Sequence, residues 1–318
     1  MSKTLLTGFL YFMDIKLKIN EEFVNLRVDH LLSQSFDFIS RSHAALLVKK
    51  GDILVSHRKV KPGYKVKLGE IISGSVGTII ENTILPEKID LDIIFEDKYI
   101  VVINKRPGMV VHPGAGNFSG TLVNALLNCY PEIVQVGNDK SRAGIVHRLD
   151  KNTSGLIVAA RTEASLNFLK NEFKQRRVKK KYFVLVKGVI KEDSGKILLP
   201  IGRHPQKRVI MATKGENLRH AETIWEVKKR YKDATLVEAL LKTGRTHQIR
   251  VHFYEMGFPL IGEQVYQFRR LRKKKTSVPR QMLHSSFLSF RHPYSGQKVS
   301  FTAPLPKDFK LVRDTLSL

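Results

Sequence analysis

The chain has 318 residues, room for one large domain and a small one. Its composition, 42% hydrophobic and 26% charged, excludes bulk disorder. The single cysteine, Cys129, excludes an internal disulfide and a cysteine-based zinc site, and no apolar run reaches the roughly 18 residues of a membrane span. Lys and Arg number 55 against 29 Asp and Glu, a formal net charge of +26. That lies far beyond the single-digit charge usual for a small soluble domain. A field of this sign gathers polyanions, so nucleic acid is the expected partner and an anionic membrane its rival. Charge does not separate DNA from RNA.

In chain order, residues 1–17 read as an extension. They are mildly apolar over 5–12, but only Lys3 precedes that stretch and no small-residue cleavage site follows it, so a signal peptide is not expected. Residues 18–80 read as a small α/β unit. Val28, Leu31 and Leu32 mark a short helix. Ser40 then precedes an Ala/Leu run that ends in Lys49, Lys50 and Gly51, which are the start and stop signals of a second helix. Ile53-Leu54-Val55 reads as a strand, Pro62-Gly63 as a turn, and the alternation over 64–68 as a half-buried strand. Arg41, Lys49, Lys50, Arg58 and Lys59 are candidate phosphate contacts. Residues 81–91, with Pro86, read as a linker.

From residue 92 to 318 strands outnumber helices. Strands are expected at 93–95, 100–103, 156–160, 182–186, 221–227 and 234–242, with helices at 121–127 and from Thr162 to about Arg176. The two types do not alternate regularly, so an α+β domain with a large mixed sheet is expected rather than a doubly wound or barrel fold. The densest basic stretches are 170–181 and 269–275. Neither a phosphate loop nor a dinucleotide fingerprint is present. His247 and His252 are five apart with no acid placed as in a metallohydrolase, so no metal is expected.

Two segments carry the chemistry. Residues 144–155 place one acid, Asp150, between His147-Arg148 and a hydroxyl-bearing turn, directly before an apolar strand. Asp150 is there either as a reactive group or as an acceptor in a surface turn. Residues 243–252 hold Arg245, His247, Arg250 and His252 after an apolar strand. A buried arginine needs an acid or an array of acceptors, because its charge cannot be removed; Asp150 is one candidate.

His147-Arg148-Leu149-Asp150-Lys151-Asn152-Thr153-Ser154-Gly155 resembles the signature of the pseudouridine synthase family that acts on large-subunit ribosomal RNA and some transfer RNA. Residues 244–252, Arg280-Gln281-Met282-Leu283-His284 with Phe290 and His292-Pro293, and the approach from Asn104-Lys105 to Val111-His112-Pro113-Gly114-Ala115-Gly116 resemble further motifs of that family. Residues 18–76 are similar to the small RNA-binding module of a ribosomal small-subunit protein. Arg203-His204-Pro205, Lys207-Arg208 and Met211-Ala212 resemble the branch called type D, which modifies a stem-loop of large-subunit ribosomal RNA; type C is the rival branch. Arg106 standing between Lys105 and Pro107, and Gln267 in place of a glycine, depart from the pattern.

The resemblance implies a mostly antiparallel sheet with a central RNA-binding cleft. It implies an isomerase that breaks the N1–C1′ bond of uridine and rejoins the ring through C5, without cofactor or metal. Asp150 would be the nucleophile, Arg250 its partner and Tyr182 the stacking tyrosine. His147, Arg148 and Arg245 would contact RNA whose target base is flipped out. The implied partner is large-subunit ribosomal RNA or a pre-50S particle, met in the cytoplasm by a monomer. A non-catalytic RNA-binding assembly factor and a metal-dependent nuclease are the alternatives that assays would distinguish.

Overall fold

A computed structural model describes residues 10–36, 39–79, 84–114, 117–206, 210–268 and 278–316. Ala115-Gly116, Lys207-Arg208 and the basic stretch 269–275 lie outside the described residues, as do residues 1–9 of the expected extension. Two units result, Met1–Thr83 and Ile84–Leu318.

In the first unit, β1 (Leu10–Lys18), α1 (Val28–Ser35), α2 (Arg41–Lys50), β2 (Ile53–Val55) and β3 (Ile71–Ile79) follow one another. The helix signals act as read. Ser40 Oγ accepts from His43 N, and Gly51 closes α2 at φ 92° while donating to Leu47 O. Val28, Leu31 and Leu32 of α1 and Ala44, Leu47 and Val48 of α2 share one core, as their three- and four-residue spacing dictates. Two expectations change. Residues 10–17 are not a free extension, because β1 pairs antiparallel with β3 along its whole length. The alternation at 64–68 is not a strand. Glu70 accepts from Tyr64 Oη and Lys67 N, Gly69 turns at φ 79°, and Leu68 is exposed. The chain reverses there and the strand begins only at Ile71.

The second unit contains β4 (Ile93–Glu96), β5 (Ile100–Lys105), α3 (Leu122–Cys129), β6 (Ser154–Ala160), α4 (Glu163–Lys174), β7 (Lys179–Lys187), β8 (Ser194–Ile197), β9 (Gly202–Arg203) and β10 (Met211–Ala212). After these come β11 (Thr223–Arg230), β12 (Ala234–Leu241), α5 (Gln248–Glu255), β13 (Leu283–Arg291), β14 (Lys298–Thr302) and α6 (Lys307–Thr315). Nine strands form one sheet in the order β4-β5-β6-β13-β7-β12-β11-β8, with β14 added on β13. Among the described residues only β6 and β13 pair in parallel, so the sheet is mixed and mostly antiparallel. Strand alternation divides the core between the two faces. Val101, Ile103, Ile157 and Ala159 meet α3 on one side, and Ile100, Val102, Leu156 and Val158 meet Leu166 and Leu169 of α4 on the other. All seven residues of β6 are buried in consequence. The later part of the expected linker belongs to this unit: Ile84, Ile89 and Leu91 pack on its core, and Asn124 Nδ2 donates to Leu85 O.

Gly155 shows what the junction of β6 and β13 demands. It sits at φ 108°, and a Cβ there would stand 2.2 Å from Ser285 O. Gly155→Ala combines a forbidden backbone conformation with a backbone clash, and is expected to lower stability by about 3 kcal/mol or more. An unchanged urea midpoint would contradict this.

Candidate active site

Asp150 lies in the loop before β6, and Arg250 projects from α5 on the far side of the sequence. Arg250 Nη1 donates to Asp150 Oδ2 at 2.9 Å. The rest of the guanidinium is held by an acid that the sequence motifs did not single out. Nε and Nη2 donate to Glu263 Oε2 and Oε1 at 2.7 and 2.8 Å. Glu263, whose side chain is only 1% exposed, also accepts the backbone N–H groups of Gln264 and Val265. Burial alone would lower Arg250, but the hydrogen bonds and charges of Glu263 and Asp150 outweigh it and hold the group charged, above its ordinary value. Burial would likewise raise Glu263, and Arg250 holds it below the usual carboxylate range instead. The requirement that a buried arginine have an acid pointed to such a residue. Only the fold identifies it as Glu263.

A second arm reaches Asp150 through His247, which precedes α5 at φ 56°. Its Nε2 stands 3.9 Å from Asp150 Oδ1, beyond hydrogen-bond reach, and its Nδ1 is 2.8 Å from Tyr266 Oη. Burial pushes the Tyr266 phenol up to about 12, so it keeps its proton. Met211 N donates to the same oxygen. The Tyr266 ring also lies 5.2 Å under the Arg250 guanidinium.

Lys105, at the end of β5, fixes the loop from below. It is 1% exposed, and its ammonium donates to Arg106 O, Met109 O and Lys151 O at 3.0, 2.9 and 3.2 Å. The last of these ties down the residue after Asp150. Burial pushes Lys105 down to about 7, with the Asp150 charge opposing. Arg280 braces the same loop from the other side. It pairs with Asp308 through Nε and Nη2 and donates to Asn152 O. The later motifs are thus largely scaffold. His284 bonds Ser154 Oγ and Ala303 O, His252 bonds Thr223 Oγ1 and Leu199 O, and Gln248 links Thr243, Arg245 and Thr223.

Tyr182 on β7 enters the site from the sheet. Burial pushes it up to about 12, partly offset by a hydrogen bond with Ser285. Asp150, Tyr182 and Arg250 all line one cavity of about 510 Å³. Asp150 is its sole carboxylate, against seven cations from Arg148 to Arg250. Arg148 is exposed at its mouth and Arg245 is half-buried, with Nε donating to His220 O. His147 is half-buried and also lines the cavity. Its Nε2 accepts from Val158 N at 3.1 Å and its ring stacks on Phe173, so that nitrogen is committed to the scaffold. The five basic candidates of the first unit are all exposed there. Lys49, Lys50 and Lys59 converge where Lys59 Nζ donates to Lys50 O, while Arg41 stands at the opposite end of α2, 3.9 Å from Asp29.

The family model for RNA pseudouridylate synthase matches residues 99–255, a span that contains Asp150, Tyr182 and Arg250, and the S4 domain model matches residues 26–72. The uncharacterized RNA pseudouridine synthase YlyB of Bacillus subtilis is 40% identical, with 92% of this chain and 95% of the relative covered. This chain belongs to the RNA pseudouridylate synthase family. The ribosomal large subunit pseudouridine synthase D of Neisseria meningitidis is 41% identical, over 96% of this chain and 82% of the relative. Among solved structures, human RNA pseudouridylate synthase domain containing 1 matches with a TM-score of 0.56 at 25% identity, covering 72% of this chain and 96% of that one. The protein is accordingly an RNA pseudouridine synthase. Among the described residues no helix is long and apolar enough to cross a membrane, and no group of three His, Cys, Asp or Glu could hold a metal ion.

Buried neutral histidine gives this synthase a pH dependence. Burial pushes the fully enclosed His284 down to about 4 from an ordinary 6.5. Its folded value is depressed, so the unfolded chain binds the proton first. The stability it contributes is present above about pH 6.5 and lost as pH falls toward 4, roughly 3 kcal/mol in all. Urea midpoints at pH 7 and pH 4.5 are expected to differ, and His284→Gln to flatten that difference. Equal slopes in both proteins would contradict it.

Proposed function

We propose that this synthase converts uridine to pseudouridine in a stem-loop of large-subunit ribosomal RNA, with Asp150 as the nucleophile. The observation that carries this is the Asp150–Arg250–Glu263 chain at a cavity wide enough for one nucleotide. It holds a lone carboxylate in a fixed orientation amid positive charge. A stacked uridine cannot reach that cavity, so the target base is flipped out at a cost of a few kcal/mol. The N1–C1′ bond then breaks, the freed ring turns, C5 bonds to C1′, and the C5 proton is lost while N1 regains one. Tyr182 is a neutral phenol, which suits it to stack on the ring and hydrogen-bond it rather than to act as a phenolate base.

Relatives named for the ribosomal large subunit support that RNA as the substrate. Arg41, Lys49, Lys50, Arg58 and Lys59 of the front unit, with Arg148 and Arg245 at the cavity, add phosphate contacts. The protein works in the cytoplasm as a monomer on free RNA or the pre-50S particle, with a front RNA-binding module and a catalytic domain from about residue 84. Pseudouridine mapping at nucleotide resolution in large-subunit RNA from cells lacking the protein tests the substrate. Specific sites should revert to uridine and be restored by the wild-type protein. An unchanged map would overturn it.

A further inference from the structure

Among the described residues, Lys180 is a half-buried cation of the cavity with no acid paired to it. Lys180 lies two residues before Tyr182 on β7, so strand alternation places both on the same face, and both line the cavity. Lys181, on the other face, is paired with Glu238 at 2.7 Å. Lys180 has no such acid among the described residues. Its ammonium stands 5.4 Å over the Phe173 ring, and a Cβ on Gly244 would lie 3.4 Å from it. Burial lowers it to about 8 with no carboxylate opposing, whereas Asp150 opposes the same effect at Lys105. The charge of Asp150 bears on Tyr182, His247 and Tyr266, while that of Lys180 bears on His147. The ammonium lines the same cavity as the reacting carboxylate, with Arg176 and Arg245 among the other cations there. A half-buried point charge in such a cavity, with no acid paired to it, suits a phosphate oxygen.

Resting on the RNA substrate proposed above, we infer that Lys180 docks a backbone phosphate of the nucleotide entering the cavity and is thereby a positioning residue for the reaction at Asp150. Phosphate contact there fixes where the sugar stands, and so brings C1′ and the base against Asp150 and Tyr182.

The test uses full-length protein and a large-subunit stem-loop RNA in which each phosphate near the target uridine is replaced in turn by a neutral methylphosphonate. One replacement should weaken binding by wild type but leave Lys180→Met unaffected, with Lys180→Arg regaining the sensitivity. The plot of log affinity against log salt should be shallower by about one for Lys180→Met. Thermal unfolding checks that the variant folds, and Lys180→Gln carries the same comparison if Lys180→Met does not. Equal salt slopes with identical responses to every methylphosphonate would overturn the assignment. So would a Lys180→Met protein that binds normally but turns over slowly, since that places the ammonium on the base. Failure of wild type to convert the stem-loop uridine counts against that RNA as substrate. The same coupling measured on any RNA the protein binds still decides Lys180.

Discussion

Asp150→Asn is expected to lower single-turnover pseudouridine formation on the order of 10⁴-fold or more while changing RNA affinity by no more than about threefold. Losses of this size follow removal of a reacting group that acts as part of a unit. The amide is isosteric with the carboxylate and can still accept from Arg250 Nη1 at Oδ2, where the native bond is 2.9 Å. The loop is also held by contacts that do not involve the Asp150 side chain: Lys105 on Lys151 O and Arg280 on Asn152 O. The substitution therefore tests chemistry rather than folding. Quantitative product analysis on the stem-loop, with filter binding in parallel, reads both numbers. Comparable product from both proteins would remove Asp150 from the reaction and revive a binding role for it.

Glu263→Ala carries the second large effect. Glu263 holds two of the guanidinium nitrogens of Arg250, and the pair is buried. Removing one member leaves a buried charge with only Asp150 to face, which costs about 3–5 kcal/mol. The freed guanidinium can shift toward Asp150 and turn it. A displacement on the order of 1 Å at the reacting group is worth about 10²-fold in rate. Because Glu263 acts only through Arg250, kcat should fall while KM for RNA stays near wild type. Urea unfolding and steady-state kinetics check both halves. Glu263→Gln, which keeps the shape but not the charge, should fall between the two. Wild-type stability and kcat in Glu263→Ala would show that the clamp is dispensable.

Both experiments concern residues of very unequal visibility in the sequence. Asp150 stood out because it is the sole acid in a distinctive turn before an apolar strand, and that strand formed as β6. Tyr182 was visible through the family pattern, and alternation along β7 then fixed which face it shares. Glu263 was not legible in the same way. It sits in an irregular segment thirteen residues beyond Arg250, and only the turn through Gly262, at φ 76° against Arg280 O, brings its carboxylate to the guanidinium. Lys105 was visible only as part of the family-like approach from Asn104 to Gly116. Its role depends on three carbonyls, one from a loop 46 residues away. Adjacency in sequence to Asp150 did not show which way the His147 ring turns; Val158 N and Phe173 decide that.

The sequence alone pointed to a polyanionic partner, through its charge of +26, and determined local elements whose signals are short-range: the caps of α2, the apolar stripe of α1, and six strands of the large sheet, though not β8, β13 or β14. It also singled out Asp150 as the candidate nucleophile. The tertiary structure alone decided that residues 10–18 form a strand rather than an extension, and that the alternation at 64–68 is a reversal of the chain. It also decided that Asp150 is oriented by an arginine anchored on Glu263. The physical reason is the same in each case. Propensity and periodicity are set by neighbours a few residues apart. Strand pairing and the neutralising of a buried charge are settled by whichever distant group the fold brings within about 3 Å.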